Sequence, residues 1–312
     1  MREAFVQTLF EEAKRNPKIY LLTADLGYTV FEKFQAEFPD RFINVGVAEA
    51  NMMGIAGGLA ASGLIPVVYS IANFSVLRPF EQIRNDICFP KHNVKIVGVG
   101  AGLAYGTAGF THHSTEDVAL MRSLGRANIF CPSGPKETAS STRAMLNLPG
   151  PAYLRLSKKG EADLFSNESG FQPGKARILR EGDDLTFFGY GILLQNVLKC
   201  AELLSKKHQI EASIVNFHTV HPLDEEAVVR FAKKSRLIVT VEEHGVVGGL
   251  GSAVAEILSE KNDLSTQLLR CGITEKFGAR TGSRDYLLER SGLLPSQLEE
   301  KVLRFVPATK RS

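Results

Sequence analysis

Glu49 stands at the head of an apolar run, Ala50-Asn51-Met52-Met53-Gly54-Ile55-Ala56-Gly57-Gly58-Leu59-Ala60. A carboxyl group in such surroundings is a candidate for proton exchange, because burial disfavours its charged form and brings it toward neutral pH. The plainer reading is that Glu49 favours the positive end of a helix dipole, a contribution of about 0.3–1 kcal/mol. The glycines weigh against that reading alone. Gly54, Gly57 and Gly58 each cost roughly 1 kcal/mol of helix propensity relative to alanine, and close approach of another backbone is the reason they predict. A helix start that needs only a charge does not also need a glycine-thinned apolar face behind it.

Two further stretches carry residues able to do chemistry. Residues 98–113, Gly-Val-Gly-Ala-Gly-Leu-Ala-Tyr-Gly-Thr-Ala-Gly-Phe-Thr-His-His, form a loop too long and glycine-rich to be a mere connection. Its adjacent His112 and His113 lack a carboxylate or cysteine at metal-ligand spacing, so no metal is assigned, and an imidazole here reads as a hydrogen-bond donor or proton shuttle. Phe74, after Ala72-Asn73, reads as core or as a stacking surface worth about 0.5–1.5 kcal/mol beyond its burial. Gly248-Gly249-Leu250-Gly251 lies between a strand and a helix, but without a full dinucleotide fingerprint or a P-loop lysine it reads as a structural turn. Glu242 and His244 beside it read as interface or packing groups.

The elements that must position these residues alternate. Apolar spacing predicts a helix over residues 3–14 and buried strands over 19–23, 42–45, 67–71, 94–99, 129–131 and 152–156. Helices are expected from Glu49 to Ser62-Gly63, with glycine at the left-handed cap, and over 74–87. Residues 161–177 lose apolar content and read as a linker. Beyond them strands over 185–188, 212–216 and 237–241 alternate with helices over 193–206, 224–232 and 251–258. Strands alternating with helices predict two doubly wound α/β domains, one over residues 1–160 and one over 178–312. The 312 residues, 44% hydrophobic and 23% charged, can bury cores of that size. A net charge of +3 gives no argument for nucleic acid or a membrane surface, and no apolar run reaches the ~20 residues of a membrane span. The four cysteines lack metal-like spacing and are expected as reduced, buried thiols. With no signal-peptide core at the N-terminus, a cytoplasmic location is the expectation.

Asn44-Val45-Gly46-Val47-Ala48-Glu49, followed by Met53-Gly54-Ile55-Ala56-Gly57-Gly58-Leu59-Ala60, resembles the pyrimidine-binding domain of transketolases and related thiamine diphosphate enzymes. The second half is similar to their C-terminal domain, through Glu242-Glu243-His244-Gly245 and the glycine turn after it. The resemblance implies that Glu49 bonds N1′ of the aminopyrimidine and that Phe74 stacks on its ring. It implies that Asp25, Ile71 and Leu77 also line the cofactor, the last two standing where relatives carry aromatics. His112, in Thr111-His112, would face the reacting carbonyl oxygen of the substrate. Arg2 and Thr29 fall where the family binds a sugar phosphate, and Lys158 replaces an arginine there, a point charge without the bidentate fork.

Two departures touch substrate choice. Typical transketolases have a histidine at Gly100 and an aspartate at Ala108, both holding sugar hydroxyls, so a wider pocket lined by Tyr105 and Phe110 and a modified or nucleotide-linked sugar are expected. The family's diphosphate motif, Gly-Asp-Gly followed by Asn, is missing, since Gly182-Asp183-Asp184 does not match it. The chain thus resembles one subunit of a split transketolase. An N-terminal subunit would carry the diphosphate motif and hold Mg2+ or Ca2+, with self-association through the pyrimidine domain giving a heterotetramer. The alternatives are the β subunit of a 2-oxoacid dehydrogenase or a pyruvate-using synthase, and a non-catalytic α/β interaction protein.

Overall fold

The computed structural model describes residues 1–158, 162–165, 170–274 and 281–306. The first half runs α1 (Arg2–Arg15), β1 (Ile19–Thr23), α2 (Glu32–Glu37), β2 (Phe42–Asn44), α3 (Glu49–Ala61), β3 (Ile65–Ile71), α4 (Ala72–Val76), α5 (Phe80–Gln82), β4 (Lys95–Val99), α6 (Asp117–Ser123), β5 (Asn128–Phe130), α7 (Pro135–Asn147) and β6 (Ala152–Leu156). The second half runs β7 (Arg177–Arg180), β8 (Leu185–Gly189), α8 (Leu194–His208), β9 (Ala212–Asn216), β10 (Thr219–His221), α9 (Glu225–Lys234), β11 (Leu237–Gly245), α10 (Leu250–Ser259), β12 (Gln267–Ile273), α11 (Arg284–Arg290) and α12 (Pro295–Leu303).

Two α/β sheets result, as the alternation predicts. The larger has the order β10-β5-β6-β4-β3-β1-β2 and the smaller β12-β11-β8-β9-β7. Pairing is parallel except at two edges, β10 with β5 and β7 with β9. Strands β3, β4 and β6 are buried along their whole length, the pattern of a parallel sheet covered on both faces. The edge strands β7 and β10 carry no long apolar run and are not legible in the sequence. β10 comes from the second half yet extends the sheet of the first, and Met52, Val68 and Tyr153 share one apolar cluster with Phe188, Val215 and Ile238. The two halves are therefore joined by sheet pairing and by a common core.

Three expectations need correction. The helix expected over 74–87 starts earlier, at Ala72, and is interrupted between Val76 and Phe80. Pro79 cannot donate to a helical bond and biases the residue before it away from helical geometry. Residues 83–88 then form a π-turn. The three glycines of α3 also differ among themselves. A Cβ on Gly57 would lie 3.0 Å from the Asp86 carbonyl oxygen, a true close approach, whereas Gly54 and Gly58 face open space. Ala50, Asn51, Gly54, Gly58 and Ala61 are exposed in the single chain, so only one side of this apolar helix is covered. The third concerns the space beside Gly100, which the Tyr105 ring fills.

Gly63, at φ +85°, closes α3 in the left-handed region. All four cysteines are free and buried. Among the described residues, no helix is long and apolar enough to cross a membrane.

Candidate active site

Glu49 begins α3 just after β2 and the Gly46 turn, with its side chain only 5% exposed. Arg78 caps it: Nη1 donates to both carboxylate oxygens, at 3.1 and 3.0 Å. The same guanidinium lies 3.7 Å from the centre of the Phe74 ring. Phe74 sits on α4, directly after the buried strand β3, and meets the His112 ring edge-on with centroids 5.0 Å apart. Glu49, Phe74 and His112, distant in sequence, are thereby brought into one group. The interruption after α4 places Arg78 where it can reach both Glu49 and Phe74.

The His112 loop is tied down from several sides. Gly102 and Ser114 pair as an antiparallel bridge that pinches its base. The Thr111 hydroxyl lies 3.0 Å from His112 Nδ1, and His113 Nε2 lies 3.1 Å from the Gly106 carbonyl oxygen. The Tyr105 and His112 ring centroids are 5.7 Å apart, and Lys158 Nζ lies 4.1 Å from the centre of the Tyr105 ring. Burial pushes the Tyr105 phenol up, with the charge of Arg2 pulling the other way.

A Cβ on Gly100 would overlap the Tyr105 ring at 2.0 Å, and Gly100 has φ +77°. The expectation of a wider pocket here is thus corrected: the space beside Gly100 is filled by Tyr105. Phe110, by contrast, is exposed and lines a cavity of about 360 Å³ with Asn73, Phe74, Leu77, Arg78 and Arg290.

The second domain holds this loop in place. The Leu103 backbone N–H donates to Glu243 Oε1 at 2.9 Å, and Arg284 Nε donates to the same oxygen at 3.0 Å. Behind them lies a buried ion pair, with Arg155 Nε donating to Asp117 Oδ2 at 2.8 Å. The Tyr153 hydroxyl donates to the same Asp117 oxygen at 2.6 Å, and Arg155 Nη2 reaches the carbonyl oxygens of Ser114 and Glu243. Burial alone would raise the Asp117 carboxyl, yet Arg155 and then His244 hold it below the usual carboxylate range. Glu243, Arg155 and Asp117 were not singled out as site residues. Their partners lie 36 to 140 positions away in sequence, and no local pattern marks such pairs.

The remaining residues singled out from sequence are more dispersed. Ile71 is buried at the end of β3, and Leu77 is partly exposed on the cavity wall. Asp25 lies two residues after β1, with φ +51°. It accepts from the Tyr28 hydroxyl at 2.6 Å and from Asn44 Nδ2 at 3.3 Å, contacts that hold its carboxyl below the usual range. Arg2 and Thr29 line a separate cavity of about 390 Å³ with Lys33, and Lys158 stands beside Tyr105 instead. The three phosphate candidates therefore do not share one pocket.

The turn at 248–251 is structural. Glu242 accepts from the first backbone N–H groups of α10, Leu250 and Gly251, at 2.8 and 2.9 Å. That occupies the helix N-terminus a phosphate would use.

Glu49 and Phe74 supply a carboxylate acceptor beside an aromatic face, and Asn73 Oδ1 next to them is buried without a hydrogen-bond partner. This set fits an aminopyrimidine ring, and Arg78 lies in the same place.

Comparison with known proteins gives two family matches. Residues 1–160 match the transketolase pyrimidine-binding domain, and residues 174–298 match the transketolase C-terminal domain. A 6-deoxy-6-sulfo-D-fructose transketolase subunit from a Clostridium species is 38% identical, over 96% of this chain and 92% of that protein. A 1-deoxy-D-xylulose-5-phosphate synthase from Rippkaea orientalis is 35% identical over 96% of this chain, which spans only 47% of that protein. Among solved structures, one described as a split gene transketolase, inactive beta4 tetramer, is 37% identical with a TM-score of 0.87. The match covers 100% of this chain and 98% of that one.

Proposed function

The chain belongs to the transketolase family, and from that premise we propose that it is the pyrimidine-side subunit of a two-subunit, thiamine diphosphate-dependent enzyme. This enzyme transfers a two-carbon ketol unit between sugar substrates. The observation that carries the reading is the meeting of Glu49, buried and fixed, with the Phe74 ring and the His112 imidazole. Thiamine diphosphate, when bound, supplies the electron sink that the protein side chains lack.

The chain's own residues then bind, orient and move protons. Glu49 holds and exchanges a proton with the pyrimidine ring nitrogen, from a position fixed by the start of α3. Phe74 offers its ring face, and Ile71, Leu77 and Asp25 are the further residues proposed to line the cofactor. His112, steadied by Thr111 and by the Glu243 anchor, donates a hydrogen bond to a substrate carbonyl oxygen, where a positioned donor acts on developing negative charge. Arg2 and Thr29, in the cavity they share, supply polar and cationic contacts for a sugar phosphate, and Lys158 offers a separate cationic contact beside Tyr105. In this reading the diphosphate and its Mg2+ or Ca2+ are held by a separate N-terminal subunit bearing Gly-Asp-Gly…Asn, which relatives described as a transketolase subunit and a split gene transketolase support. The exposed small-residue side of α3 suits self-association of the pyrimidine domains, and a heterotetramer follows. Domain limits of 1–160 and 178–312 and a cytoplasmic location belong to the same proposal.

For the substrate, Tyr105 replaces hydroxyl-binding groups with an aromatic wall, and one relative is named for a sulfonated fructose. A modified or less hydroxylated ketose is the proposed donor. A second reading, a synthase using pyruvate, has one observation in its favour, the 35% identity to a 1-deoxy-D-xylulose-5-phosphate synthase. The reconstituted pair should transfer poorly from xylulose 5-phosphate and faster from a modified ketose. Steady-state assays with ketose and 2-oxoacid donors decide it. A kcat/KM of about 10⁴ M⁻¹s⁻¹ or above on xylulose 5-phosphate is ordinary enzyme performance and would remove the substrate proposal. Activity confined to pyruvate would establish the second reading.

A further inference from the structure

We propose that Arg78 is a gate on the cofactor site: its guanidinium fills the place between Glu49 and Phe74 and must leave before an aminopyrimidine enters. The inference rests on the reading of Glu49 as the cofactor carboxylate and adds a residue to it. Arg78 makes the two contacts that the ring would need. It donates to both oxygens of the Glu49 carboxylate, at 3.1 and 3.0 Å, and it lies 3.7 Å over the Phe74 ring. A guanidinium is a planar, delocalised array of N–H donors that pairs with carboxylates and stacks on aromatic faces. An aminopyrimidine presents a similar flat N–C–N edge, so the two compete for one slot.

The burial of the partners gives the gate its direction. The Glu49 side chain is 5% exposed and held by the start of α3, whereas that of Arg78 is 47% exposed. The carboxylate stays and the arginine moves. Arg78 lies in the interruption between α4 and α5, before Pro79, so its side chain can rotate without breaking a helix. The cavity it lines beside Phe110 and Arg290 gives it room. While the cofactor is absent, the contact spares a buried carboxylate from standing unpaired, which is costly. Once the ring takes over both contacts, the guanidinium is no longer needed there.

The test is calorimetric titration of thiamine diphosphate, with Mg2+, into this chain reconstituted with a subunit bearing Gly-Asp-Gly…Asn. Wild type, Arg78→Ala, Arg78→Lys, Glu49→Gln and the Glu49→Gln/Arg78→Ala double variant are compared. A half-exposed ion pair and an exposed cation–ring contact are each weak, so Arg78→Ala should tighten binding by about three- to tenfold. Arg78→Lys, which loses the fork and much of the stacking, should fall between. In the Glu49→Gln background the gain should shrink below about twofold, because the gate has lost its charged partner. Unchanged or weaker binding by Arg78→Ala overturns the gate while leaving the Glu49 reading in place. Identical affinities for Arg78→Ala and the Glu49→Gln/Arg78→Ala double variant, or no binding by the wild-type pair, remove that reading and the gate with it.

Discussion

Glu49→Gln lowers the turnover of the reconstituted enzyme by about 10²–10⁴, the loss typical of a positioned acid–base group. The substitution keeps the shape of the side chain and its place at the start of α3. An amide oxygen can still accept from Arg78 Nη1, which now reaches both carboxylate oxygens at 3.1 and 3.0 Å. The amide cannot hold and release the proton that the proposed role requires. Thermal unfolding run beside the activity assay separates the two effects, since the fold should survive with its melting temperature nearly unchanged. Turnover close to wild type would return Glu49 to service at the helix dipole.

The second large effect concerns stability and lies behind the His112 loop. Arg155 and Asp117 are 6% and 0% exposed, so removing one leaves the other charged and buried. Asp117→Ala should cost about 3–5 kcal/mol, as breaking a buried pair does. For a domain of this size that lowers the melting temperature by roughly 6–20 °C. The pH dependence follows from the sign of the shift. Asp117 is held below its ordinary value of 3.8, so its contribution is complete above that pH and fades only as the pH falls further. The deficit of Asp117→Ala is therefore full at neutral pH and narrows in strong acid. Differential scanning calorimetry at pH 7 checks it, and a drop of under 2 °C would show that the Ser114 and Glu243 carbonyl oxygens satisfy Arg155 without Asp117.

What the sequence made legible divides by range. Strands buried on both faces, such as β3 and β4, announce themselves as unbroken apolar runs, and the Gly63 terminus follows a local rule. Glu49 was legible because a carboxylate at the head of an apolar, glycine-rich helix is a local conflict, and such conflicts gather at working sites. β7 and β10 were not, because Arg-Ile-Leu-Arg and Thr-Val-His carry no apolar run of their own. β10 in particular is defined by the sheet it joins, which lies in the other half of the chain.

The same limit explains the site. Gly54, Gly57 and Gly58 read alike in sequence, yet only Gly57 meets a backbone, because the partner segment around Asp86 reaches one side of the helix. Arg78 looks like a solvated charge beside Pro79, and only the folded chain brings it to Glu49 across 29 positions. Glu243 is one of two adjacent glutamates, and nothing local says that it anchors Leu103 while its neighbour caps α10. The glycine at position 100 reads as a lost side chain, and the fold shows the Tyr105 ring in the vacated space.

The claim that this chain supplies only the pyrimidine half of a cofactor site is tested most directly by titrating thiamine diphosphate, with Mg2+, into the purified chain alone and into the chain mixed with a subunit bearing Gly-Asp-Gly…Asn. The account predicts no measurable heat of binding with the chain alone and saturable one-to-one binding with the mixture. Micromolar binding by the chain alone would contradict it.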